Sequence, residues 1–166
     1  MVSAVPRQRA GPRGESTVPV TVEVPASTLR CLRVRHEPAE VSAVRRALRE
    51  DLRRDPRAET VADDVAVVTS ELVGNAVRHG APLDGGLLVR WGVGDEGVVV
   101  EVVDGGGPSG PGERQPVEAH DADPLATCGR GLRIVEELSR RWGTSLDADG
   151  RRTVWAVVDG AVPAVA

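Results

Sequence analysis

An α+β layer, with helices on one face of a mixed sheet, is the fold class this sequence predicts. The prediction rests on spacing and on order. Apolar residues recur at helical intervals in separate stretches: Val41, Val44, Leu48 and Leu52, then Val61, Val65, Val68, Leu72 and Ala76. Two valine-rich runs, LLVRWGV and VVVEVVD, meet at Gly94–Gly97 in the manner of a hairpin. Strand region, two helices, two strands, long loop, helix and two strands follow one another, so like elements cluster instead of alternating.

Taken in chain order, residues 1–17 are rich in Pro, Gly and Arg without periodicity and are expected to form a disordered extension. Val18, Val20, Val22 and Val24 then share one face of an alternating segment. LRCLRVR continues it, with Leu32 and Val34 on one side and Leu29 and Cys31 on the other. Pro38 suits an early helical position, and Pro56 ends that first helix or lies just past it. Thr60 is the expected N-cap of the second helix, with Asp63 and Asp64 in its first turn, where the dipole favours them. Gly80 is the expected stop. From Gly105 to Cys128 periodicity is lost, and GLRIVEELSRRWG reads as a third helix closed by Gly143. TSLDA and TVWAVVD form the expected terminal hairpin.

Composition narrows the chemistry. The chain has 166 residues, the size of one domain, and contains no Phe or Tyr, so Val, Leu and three Trp must fill its core. All 21 basic residues are arginine. The absence of lysine excludes a lysine-dependent phosphate loop, a Schiff-base lysine and a kinase of the ordinary eukaryotic type. A net charge of −4 argues against general nucleic-acid binding. Cys31 and Cys128 are too few and too far apart for a metal set or a disulfide framework. No apolar run resembles a signal peptide or a membrane span, so a cytoplasmic protein with no membrane partner is the expectation.

Several stretches carry candidate chemistry. In SELVGNAVRHG the only asparagine, Asn75, stands one turn after Glu71 and shares a helix side with it and Arg78. An amide oxygen is a hard neutral ligand that suits Mg²⁺, and a carboxylate a turn away can accept a hydroxyl proton. The bland alternative is a surface Glu–Asn pair. His79 falls on the apolar side and is expected to be packed and hydrogen-bonded. In VVVEVVDGGG, Asp104 ends a strand before glycines that would let a flat ring approach the backbone. Its carboxylate can accept from adenine's amine, whereas guanine would set two acceptors against each other. Simple turn capping would place the same residues there. In CGRGLRIVEEL, Gly129, Arg130 and Gly131 open a helix whose free N–H groups suit a phosphate. A glycine-rich hinge is the plain reading of that stretch. The intervening acidic loop is long enough to be a lid.

In combination, Glu71-Leu72, Asn75-Ala76 and His79-Gly80, then Asp104 with Gly106, then Gly129-Arg130-Gly131-Leu132, resemble the GHKL (histidine-kinase-like) ATPase superfamily. Thr153 matches a late-strand threonine that the family uses near adenine. Pro108 departs from the family, standing where a second glycine of the Asp–Gly box is expected. The short chain looks like the anti-sigma-factor serine/threonine kinase branch. The resemblance implies a Bergerat ATP-binding fold, a two-layer α/β sandwich whose sheet is mixed and mainly antiparallel. It spans residues 18–160 as a single ATP-binding domain, with an ATP lid at 105–129 and a tail at 161–166. It also implies ATP and Mg²⁺ as cofactors. Asp104, Gly105, Gly106 and Thr153 would lie at the adenine, and Asn75 at the metal. Gly129, Arg130, Gly131 and Leu132 would lie at the phosphates, with Glu71 as general base. The implied partners are an anti-anti-sigma protein with a STAS domain, a sigma factor, or both, with a homodimer as a further option. A nucleotide-gated binding module of the same fold without kinase activity is the alternative. A structural interaction protein with a degenerate site is a third.

Overall fold

A computed structural model describes residues 29–106 and 130–160. The alternating segment Val18–Val24, most of the expected lid and Gly129 lie outside the described residues. Strands β1 (Arg30–Arg35), β2 (Gly86–Gly94), β3 (Gly97–Asp104), β4 (Arg141–Leu146) and β5 (Arg152–Val158) form one five-stranded sheet in the order β1-β2-β3-β5-β4. Every pairing among these strands is antiparallel, in keeping with the mainly antiparallel sheet expected. Helices α1 (Glu40–Leu52), α2 (Ala62–His79) and α3 (Arg130–Leu138) complete the α+β architecture.

Period-2 valine patterning aims one face of the sheet at the helices. Leu87, Val89, Trp91 and Val93 on β2 stand beside Val98, Val100 and Val102 on β3 and Ala156 and Val158 on β5, all within the main core. From the helices, Val44, Leu48 and Leu52 of α1 and Val65, Val68 and Leu72 of α2 fill the same layer. Valine is branched at Cβ and stiff at χ1, which suits a pleated surface and lets the core do without Phe and Tyr. The opposite sheet face carries a smaller cluster, Val99, Trp155 and Val157. Trp91 reaches out of the core to α1, where its indole N–H donates to Asp51 at 2.9 Å.

The turn between α1 and α2 is fixed by Asp55. Its carboxylate accepts from the Arg57 backbone N–H at 3.0 Å and from the Arg57 guanidinium at 2.9 Å. The guanidinium hydrogen bond holds the Asp55 carboxyl below its ordinary value, outweighing the opposing effect of burial. A depressed folded pKa contributes stability above the unfolded value of about 3.9, and that contribution is lost as pH falls through the folded value. Urea midpoints of wild type and Asp55→Asn should therefore differ by a constant amount from neutral pH down to about 5 and converge in stronger acid. A difference that widens in acid would contradict this assignment.

The structure corrects several expected boundaries. Thr60 does not cap α2; it lies in a 3₁₀ turn, Glu59–Val61, and α2 starts at Ala62 without a side-chain cap. Instead Asp63 anchors the start of α2 to α1 through Arg49 at 2.7 Å and Arg53 at 3.2 Å. The third helix ends at Leu138, not Gly143. Trp142 and Thr144 alternate onto the inner face and pair with Ala156 and Val154 of β5, so edge pairing overrides the helical period. His79 is exposed, and the histidine held against α2 is His36, whose Nε2 lies 3.0 Å from the Ala76 carbonyl.

Candidate functional site

Helix α2 links the expected site residues. Its sheet-facing stripe is apolar, and its flank carries Glu71 and Asn75, both half-buried, with Gly74 buried between them. Arg78 folds back along this flank. Its guanidinium donates to Asn75 Oδ1 at 3.0 Å and lies over Gly74, where an added Cβ would stand 3.3 Å from Nη1. Gly74, which costs the helix about 1 kcal/mol relative to alanine, thus gives the arginine room to lie flat.

Helix α3 packs against α2, with its first turn at this flank. Gly131 is buried in its first turn, and a Cβ there would collide with Glu71 Oε2 and stand 3.7 Å from Asn75 Oδ1. Glu71, Asn75 and Gly131 are therefore brought together as expected, although Glu71 and Gly131 are far apart in sequence. Leu132 is half-buried beside them and Arg130 is exposed. The leading N–H groups of a helix carry partial positive charge, so this junction favours an anion next to the carboxylate and amide of α2.

At the other end of α2, Asp104 is fully buried at the end of β3. Gly80 closes over it: a Cβ at Gly80 would come 2.6 Å from Asp104 Oδ2 and 2.7 Å from the Ala76 carbonyl. Gly80 ends α2 as expected, but with φ −91° and ψ 164°, an extended conformation open to any residue, so its need for glycine is one of close approach. Gly105 donates to the Ala81 carbonyl at 2.8 Å, and Ala81 donates to the Gly106 carbonyl at 2.6 Å. Gly106 has φ +84°, which favours glycine, and its N–H donates to Asp104 Oδ1 at 2.7 Å. The Asp–Gly turn is thus laced to the chain leaving α2.

Thr153 is not beside Asp104. The β3–β5 register pairs it with Val103, and successive strand residues face opposite ways, so its side chain is on the other face of the sheet. Opposite Asp104 is Arg152, whose Nη2 and Nε lie 2.7 and 3.1 Å from Oδ2. Sequence reasoning passed over Arg152 and the packing role of Gly80, and placed Arg78 beside Asn75 without giving it a role. The helical spacing of Arg78 from Asn75 was a usable signal. The Arg152–Asp104 contact had none, because it depends on the order in which strands join the sheet.

A nucleotide fits this arrangement. From Glu71 to Gly80, α2 runs about 14 Å, so it separates a buried carboxylate beside its C-terminus from an anion-favouring junction at mid-helix. Among the described residues no group of three or more His, Cys, Asp or Glu could hold a metal, so a cation here would depend on Asn75, phosphate oxygens and water, a mode Mg²⁺ accepts. Among the same residues no helix is long and apolar enough to cross a membrane.

Comparison with known proteins agrees. A family model described as "Histidine kinase-like ATPase domain" matches residues 34–158. A crystal structure of the RsbU and RsbW domains of Rv1364c from Mycobacterium tuberculosis aligns with a TM-score of 0.55 at 21% identity. The alignment covers 79% of this chain and only 32% of that one, and at such identity the likeness is one of fold. No curated protein matches the chain.

Proposed function

The chain belongs to the histidine kinase-like ATPase domain family, and we propose that it is a bacterial regulatory protein that binds Mg·ATP and phosphorylates a serine of a STAS-domain anti-anti-sigma partner. The observation that carries this reading is the convergence of Glu71 and Asn75 with Gly131, with Asp104 buried at the far end of the same helix. In it, Asp104 and the Gly105–Gly106 turn hold the base. Asn75 holds the metal through Oδ1, which must first leave Arg78. The start of α3, with Gly129, Arg130, Gly131 and Leu132, faces the phosphates. When bound, Mg·ATP supplies the transferable phosphoryl group and the metal charge that offsets it.

Glu71 has the chemistry of a base for this reaction. It is a carboxylate beside the proposed phosphate position, and a serine hydroxyl brought there by a partner can give it a proton as the oxygen attacks. Arg78 is placed to take up negative charge once Asn75 turns to the metal. A sigma factor would compete with the STAS protein for the surface around this site. The RsbW domain of the solved structure shares the fold on which such a regulator is built. The domain limits 18–160, the lid at 105–129 and a cytoplasmic location belong to the same proposal.

Calorimetric titration with ATP, with and without Mg²⁺, tests the site. Binding should require Mg²⁺ for full strength. Asn75→Ala should weaken it about tenfold to a hundredfold, the worth of one charge-assisted contact at about 1.5–3 kcal/mol. Unchanged Mg²⁺ dependence in that variant would remove Asn75 from the metal site.

A further inference from the structure

The Asp104 carboxylate has no exposed surface, and each of its oxygens is already held. The Gly106 N–H donates to Oδ1 at 2.7 Å. Arg152 donates to Oδ2 from Nη2 at 2.7 Å and from Nε at 3.1 Å. Gly80 stands over the same oxygen, so close that a Cβ there would come 2.6 Å from it. No ligand can touch this carboxylate until one of its covers moves. The two glycines are fixed by backbone. Gly80 is bonded to Ala76 at the end of α2, and Gly105 and Gly106 are laced to Ala81. Gly106 is also backed by the β4–β5 turn, where an added Cβ would collide with the Gly150 carbonyl. Arg152 differs, because only a side chain makes its grip. That side chain is 22% exposed, so a change of rotamer carries the guanidinium into water without disturbing the sheet.

We propose that Arg152 competes with nucleotide for Asp104: it must swing out before a base amine can reach Oδ2, and it thereby holds the affinity of the site down. The proposal rests on the nucleotide-site reading given above, and what it adds is the competitor carried by the chain itself. The two partners of the carboxylate are unequal. A guanidinium gives it two charge-assisted hydrogen bonds in a fixed fork, whereas an exocyclic amine is neutral and gives one. The exchange at Asp104 is therefore unfavourable, and contacts to the phosphates and the metal have to outweigh it. Only chains with Arg152 swung out are competent to take the base, so the apparent affinity falls by that fraction. Weaker binding also keeps occupancy responsive to nucleotide concentration, which a saturated site is not.

The test is calorimetric titration of the whole chain with the Mg²⁺ complexes of ATP and of inorganic tripolyphosphate. Tripolyphosphate carries the charge without the base, so it reports any general loss of attraction when an arginine is removed. Arg152→Ala should bind Mg·ATP at least about tenfold more tightly than wild type, the worth of the one charge-assisted hydrogen bond lost in the exchange. Its affinity for tripolyphosphate should stay unchanged. Arg152→Lys keeps a cation for the buried carboxylate but not the fork, so it should tighten Mg·ATP by a smaller step. The lysine variant decides the matter if Arg152→Ala does not fold. Where wild type binds Mg·ATP, equal or weaker binding in the folded variants overturns the proposal, makes Arg152 a structural ion pair and leaves the nucleotide site standing. A parallel gain for tripolyphosphate places the effect away from the base and likewise overturns it. If neither wild type nor variants bind Mg·ATP, the nucleotide site and the proposal fall together.

Discussion

Gly80→Ala is expected to destabilise the protein by about 1–3 kcal/mol and to abolish nucleotide binding in whatever fraction remains folded. The conformation at Gly80 is not the reason, since φ −91° and ψ 164° suit alanine. The reason is space: the new methyl would stand 2.6 Å from Asp104 Oδ2 and 2.7 Å from the Ala76 carbonyl. Neither neighbour can give way cheaply. Ala76 O belongs to the last turn of α2, where it accepts from the Gly80 N–H at 2.9 Å. Asp104 is fully buried and fixed by Arg152 and the Gly106 N–H, so moving its carboxylate disturbs an ion pair whose acidic member is shut off from water. Denaturant midpoints measure the first effect and ATP titration at a temperature below melting measures the second. An alanine variant that is as stable as wild type and binds equally well would show that α2 and β3 are not in close contact at this point.

The contrast between Gly80 and other parts of the chain shows what a sequence makes legible. The core stripe of α2 was readable because Val65, Val68 and Leu72 repeat at the helical period over many turns, and all are buried as that period requires. The β2–β3 hairpin was readable because Gly94 and Gly97 punctuate two valine runs, and they pair across the turn. The end of α3 was not, since Leu138, Arg141 and Trp142 keep a helical spacing while also supplying the alternation of an edge strand. The choice between those patterns is made by β5, which lies later in the chain and offers Ala156 and Val154 as partners. Thr153 was misplaced for a similar reason. A motif fixes which residues exist, but the face each takes depends on β5 inserting between β3 and β4, and that register put Arg152 beside Asp104. Glu71, Asn75 and Gly131 survived this uncertainty because their meeting needs only the packing of one helix end against one helix flank.

Glu71→Ala should cut phosphoryl transfer to a partner serine by about a hundred- to ten-thousandfold while leaving Mg·ATP affinity close to wild type. The carboxylate is not among the groups proposed to hold the base or the metal, so its loss removes a proton acceptor and little binding. Glu71 Oε2 lies against Gly131 at the start of α3, beside the proposed phosphate position, where a partner's serine hydroxyl can reach it. Transfer of labelled phosphate from ATP to a STAS protein, measured beside calorimetry on the same variant, separates the possible roles. Loss of transfer with binding retained identifies the base. Loss of both would mean that Glu71 holds α2 and α3 in register. Retention of both would remove Glu71 from the chemistry; and if wild type binds ATP yet transfers nothing, the function becomes that of a module whose partner surface is switched by nucleotide alone, with Asp104 and Asn75 sufficient for the task.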